Sequence, residues 1–108
     1  MKFSVVVLHR AKVDAQGILD WITERSEQGA TQWAWVYSDA LLALRRNPDR
    51  HGLAPESDAL GIAIRQSLFK TRRGRPYRLL YTIVADEVRV LRVRGPGQAP
   101  ITADDVSE

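Results

Sequence analysis

The sequence predicts an α+β fold: an N-terminal strand, a helix hairpin, then an antiparallel three-stranded meander packed under the helices. Two consecutive segments in the first half repeat apolar residues at three- and four-residue steps. Three β-branched and aromatic runs with short connections fill the second half, and a valine-rich run precedes the helices. At 108 residues with 44% apolar content, one core suffices, so residues 1–108 are expected to form a single domain.

Lys2 to Leu8 is the first strand, because the β-branched Val5, Val6 and Val7 are stiff at χ1 and fit a pleated sheet better than a helix. Between Arg10 and Glu27, residues Ala11, Ala15, Ile18, Leu19 and Ile22 form one helical stripe, and Asp14 is placed in the first turn, where a carboxylate suits the helix dipole. The second helix spans Ala30 to Arg46 on Trp33, Val36, Tyr37, Ala40, Leu41 and Leu44. Arg45 and Arg46 occupy its last turn, and Asn47-Pro48 stops it. Residues 47–61, with two prolines and two glycines, read as a loop. The strands Ile62 to Phe69, Tyr77 to Val84 and Val88 to Val93 follow, linked by KTRRGRP and by a tight Ala85-Asp86-Glu87 turn. Residues 95–108 form an acidic tail in which Thr102 can cap a short helix ahead of Asp104 and Asp105.

The formal charge of +3 conceals a strong asymmetry. Residues 1–60 carry seven Lys/Arg against eight Asp/Glu, residues 61–94 carry nine against two, and residues 95–108 carry none against three. A positive field confined to one segment suits phosphates, nucleic acid or an acidic peptide. No cysteine occurs, which excludes disulfides and thiolate metal sites and points to a reducing, cytoplasmic compartment. The run FSVVVL is too short to span a membrane. His9 and His51 have no partner at ligand spacing, and there is no Gly-rich phosphate loop or nucleophile elbow, so neither a metal nor a cofactor is expected.

Strand parity sorts the arginines. Arg65 shares a face with Ala63, Ser67 and Phe69; Arg78 with Leu80, Thr82 and Val84; Arg92 and Arg94 with Val88 and Val90. With the helices on one side of the sheet, the arginines should gather on the other, open side, rimmed by Arg72, Arg73 and Arg75 in the strand connection. An alternative makes Arg78 a structural partner for Asp14 or Asp20 of the first helix. Trp21, Trp33, Trp35 and Tyr37 lie at core or seam spacing on the helices.

The segments RAKVDAQGILDWI, NPDRHGLAPE, IAIRQSLF, PYRLLYTI and DEVRVLRVR together resemble the RelE/ParE family of bacterial toxins from type II toxin–antitoxin systems, also described as plasmid-stabilisation proteins. The Tyr77 to Tyr81 run, followed by an acidic turn and a strand ending in arginines, carries most of the likeness. It implies a growth-arresting toxin neutralised by a cognate antitoxin. RelE-like members cleave mRNA on the ribosome, whereas ParE-like members bind and inhibit DNA gyrase without being known nucleases.

On the favoured reading, mRNA cleavage, the resemblance places Arg65, Arg78 and Arg94 as catalytic residues, with Arg78 stabilising the transition state. Arg72, Arg73, Arg75 and Arg92 would bind RNA or the target. In one respect the chain departs from the RelE pattern: residues 95–108 lack the tyrosine or histidine that transfers protons after the last strand. Tyr81 or His51 would have to take that role.

Overall fold

Ser26 divides the helical half of the chain. Its hydroxyl accepts the Gly29 N–H at 2.9 Å, which starts the second helix three residues earlier than the apolar stripe alone predicts. In the computed structural model, which describes residues 2–106, the elements are β1 (Ser4–Val7), α1 (His9–Thr23), α2 (Glu27–Ala43), α3 (Glu56–Leu60), β2 (Arg65–Phe69), β3 (Tyr77–Val84), β4 (Glu87–Arg94) and α4 (Ala103–Val106). The last two residues of the predicted tail, 107 and 108, and residue 1 lie outside the described residues.

Two helix-end assignments change. The first turn of α1 carries no acid, because the helix starts at His9 and Asp14 falls in its second turn. Arg45 and Arg46 lie beyond the end of α2 at Ala43, where the Arg45 carbonyl accepts the Phe3 N–H at 2.9 Å and ties the helix exit to the start of β1. The predicted 47–61 loop contains the short helix α3, closed by Gly61 at φ +70°, a conformation in which glycine carries no Cβ penalty. Ser57 returns this loop to the sheet, its hydroxyl donating to the Ile64 carbonyl at 2.7 Å and accepting the Ile64 N–H at 2.9 Å.

The sheet order is β1-β4-β3-β2. The three C-terminal strands form the predicted antiparallel meander, and β1 joins it parallel to β4, pairing Val5 with Val88 and Val7 with Val90. Parallel neighbours need a long crossover, which the α1–α2 hairpin and the meander supply. On one face Phe69, Leu79, Tyr81, Val88, Val90 and Val93 pack against Ala11, Ala15 and Trp33. The alanines let α1 lie close to the strands.

The opposite face is not open, contrary to the sequence expectation. Ile64 and Leu80 are buried there with Ala54 and Ile101, flanked by Leu60, Leu91 and Val106. Residues of the α3 loop and of the tail fold across it. Leaving a leucine such as Leu80 in water would forgo about 1.5–3 kcal/mol, which is the physical reason for the cover. Among the aromatics, Trp33 is buried and stacks on Tyr37 at 5.0 Å. Trp21 and Trp35, expected at core or seam positions, are 55% and 71% exposed, because the hairpin buries a narrower stripe than the apolar spacing implies. Trp21 packs instead under the Arg25 guanidinium at 3.8 Å.

Candidate functional site

The β3–β4 register steps between Leu80 and Tyr81: Leu80 faces Arg92 while Tyr81 faces Val90. Leu91 is therefore an extra residue, and a bulge of this kind breaks strict alternation. Val88 and Val90 point into the core under the helices, whereas Arg92 and Arg94 leave β4 on the other face, from which Arg92 reaches Asp14 of α1 where β1 has ended, which corrects the parity assignment that put all four on one face. Arg94 lies directly opposite Arg78, and Leu80 opposite Arg92. The fold thus brings Arg78, Arg92 and Arg94 together.

Each of them has carboxylate partners. Arg92 donates Nε and Nη2 to the two oxygens of Asp14 at 2.7 and 2.8 Å, and Nη1 to Asp105 Oδ1 at 2.9 Å. Arg94 Nη2 reaches the same Asp105 oxygen at 3.2 Å. Arg78 grips Glu56 with both terminal nitrogens, at 2.9 and 2.8 Å, and adds Gln66 at 3.1 Å. This forked geometry is the strongest form of arginine–carboxylate pairing.

The acids are held in turn. Asp14 Oδ2 also accepts the Val93 N–H at 2.9 Å, a strand donor left free where β1 has ended. Glu56 Oε2 accepts the Ile101 N–H at 3.2 Å. Asp105 reaches back to the Thr102 N–H at 2.7 Å and to its hydroxyl at 3.1 Å, the reciprocal half of a capping box. The hydrogen bond from Arg78 holds the Glu56 carboxyl down to about 2 against desolvation. The Thr102 N–H, with the guanidiniums of Arg94 and Arg92 behind it, holds Asp105 below the usual carboxylate range. Three arginines facing three carboxylates leave this cluster close to neutral. Arg78 is paired, as one sequence alternative had it, but with Glu56 and not with Asp14 or Asp20.

Arg65 lies on the helix-facing side, beyond the edge of the hairpin. Its Nη1 donates to the carbonyls of Asp49 and His51, at 3.0 and 2.5 Å. Beside it the buried Tyr81 hydroxyl donates to the Pro48 carbonyl at 2.5 Å, and burial pushes the phenol up to about 12. The His51 ring meets Tyr81 edge-on at 6.4 Å, and burial, then Arg50 and Arg65, push its imidazole below the usual value. The sheet separates Tyr81 and His51 from Arg78 and Arg94.

The remaining predicted contacts, Arg72, Arg73 and Arg75, stand in the β2–β3 turn, all exposed. These cations are legible in the sequence, but Glu56 and Asp105, which together with Asp14 bind the sheet arginines, are not. Only Asp105 had a local signal, its place three residues after Thr102.

A four-stranded mixed sheet, a helix hairpin on one face, a compensated arginine cluster on the other and an exposed basic turn define a small α+β protein. Residues 5–100 match the family described as ParE toxin of type II toxin-antitoxin system, parDE, and the chain belongs to that family. It is the toxin component of such a system, whose partner is a cognate antitoxin. No curated protein matches the chain. Among the described residues no helix is long and apolar enough to cross a membrane, and no group of three or more histidine or acidic side chains is placed to hold a metal ion.

Proposed function

We propose that this toxin arrests growth by binding and inhibiting DNA gyrase, the activity of ParE-like members, and not by cutting mRNA. The observation that carries this reading is the state of Arg65, Arg78 and Arg94. Cleavage by a 2′-hydroxyl needs a proton acceptor, a proton donor and guanidinium groups free to meet the crowded phosphate. Here all three arginines engage acceptors of the same chain. No tyrosine or histidine follows the last strand, and the phenol of Tyr81 is buried against Pro48. A binding mechanism needs none of that chemistry. On the cleavage reading, Arg78 and Arg94 would first have to exchange Glu56 and Asp105 for a phosphate.

Expression in bacteria should stop growth, and co-expression of the cognate antitoxin should restore it. Purified toxin should block DNA supercoiling by gyrase. Cuts within translated codons, seen by primer extension soon after induction, together with unimpaired gyrase, would overturn the proposal.

A further inference from the structure

We propose that the β2–β3 turn is a nucleic-acid site that grips the phosphate backbone of a duplex. With the sheet arginines compensated, the uncompensated charge of the basic segment concentrates in residues 70–75. Among the described residues the side chains of Arg72, Arg73 and Arg75 make no hydrogen bond or ion pair, and all three residues are exposed. Lys70 turns its ammonium inward to the carbonyls of Thr71 and Arg72, at 3.3 and 3.2 Å. The Gly74 N–H closes the turn on the Thr71 carbonyl at 3.2 Å. The base of the hairpin is clamped by aromatic rings: Phe69 stacks on Tyr77 at 5.8 Å, and Trp33 meets them at 5.7 and 5.5 Å. Three guanidiniums are thus presented on a braced finger, so little backbone freedom is lost when a ligand binds.

The surroundings select the ligand. The turn faces α2 across an open cleft of about 610 Å³ lined by Ser26, Gln28 and Gln32 on one wall and Thr71, Arg72 and Arg73 on the other, with glycines completing it. No apolar side chain lines this cleft. A specific protein partner needs a desolvated apolar core in its interface, and unpaired bases need aromatic platforms on which to stack. What remains is a polar cleft with planar guanidinium forks, which matches phosphate oxygens of a paired strand. The inference extends the gyrase reading, since gyrase holds duplex DNA, but it is measured without gyrase and can fail separately.

The test is fluorescence anisotropy of the purified full chain with labelled duplex DNA and duplex RNA over a range of salt concentrations. R72A/R73A/R75A should weaken duplex binding about tenfold or more at low salt and reduce the salt slope by about 2–3, the value for three lost phosphate contacts. R72K/R73K/R75K should keep the wild-type slope. R45A/R46A/R50A, which removes equal charge at exposed positions beyond α2, should change affinity less than about twofold. Equal loss in the two alanine variants would reduce the effect to overall charge and overturn the proposal. So would single-stranded DNA binding as tightly as duplex, or no duplex binding at all. Preference for duplex DNA supports the gyrase reading as well; preference for duplex RNA would keep the phosphate grip and count against gyrase.

Discussion

Asp14 holds Arg92 with both carboxylate oxygens across 78 positions of chain, and the same carboxylate closes the open N–H of Val93. One side chain therefore ties α1 to β4 where β1 has run out. It also positions Arg92 to receive Asp105 and so holds the tail in place. Asp14→Ala strips the half-buried guanidinium of its main partner and orphans a strand donor. The expected loss is about 2–4 kcal/mol, read as a fall in Tm of roughly 10 °C or more. Asp20→Ala, about one turn and a half further on, where the side chain bonds only to Gln16 among the described residues, should stay within about 0.5 kcal/mol of wild type.

Glu56 makes stability depend on pH. Its folded carboxyl is held at about 2 against an ordinary 4.5, so folding favours the ionised form. That stabilisation is complete above about pH 5 and is lost as pH falls through the unfolded value toward about 2. Urea midpoints measured down to acid pH should show this decline. Glu56→Gln should flatten the decline and lower neutral stability by about 2–3 kcal/mol.

Tyr81→Phe removes the hydroxyl that donates to the buried Pro48 carbonyl. Stability should fall by about 1–2 kcal/mol. Growth arrest, measured by colony counts after induction, should persist in full. Loss of toxicity with a folded protein would show that the phenol takes part in chemistry and would favour cleavage.

Gly95→Ala should destabilise for a steric reason. A Cβ at Gly95 would come within 2.8 Å of a ring carbon of Tyr77, and that ring is wedged between Phe69 and Trp33. Overpacking of this kind costs about 1–3 kcal/mol, measurable by thermal melting. Gly17→Ala, where a Cβ meets nothing within 4 Å, should instead be neutral or stabilise α1 slightly.

Much of the fold is legible in the sequence. Tyr77–Val84 carries its own boundaries: a proline before it and a tight turn after it, with Ala85 at φ 56°. The order strand, helix hairpin, meander follows from periodicity alone. The helix junction slipped because one hydroxyl, Ser26, outweighed the apolar stripe. α3 was missed because a single turn of helix has no periodicity to detect.

Composition and period by themselves determined the α+β class, the helix hairpin, the three-stranded meander and the concentration of positive charge after residue 60. These are local properties, set by which side chains tolerate which backbone. Only the tertiary structure decided which arginines remain available. A one-residue bulge at Leu91 sent Arg92 and Arg94 to the face away from the helices, and long-range folding delivered Glu56 and Asp105 to that face. Pairing between residues distant in the chain is governed by where the backbone finally runs, so charge that looked like one platform is divided into a neutral cluster on the sheet and a free basic turn at its end.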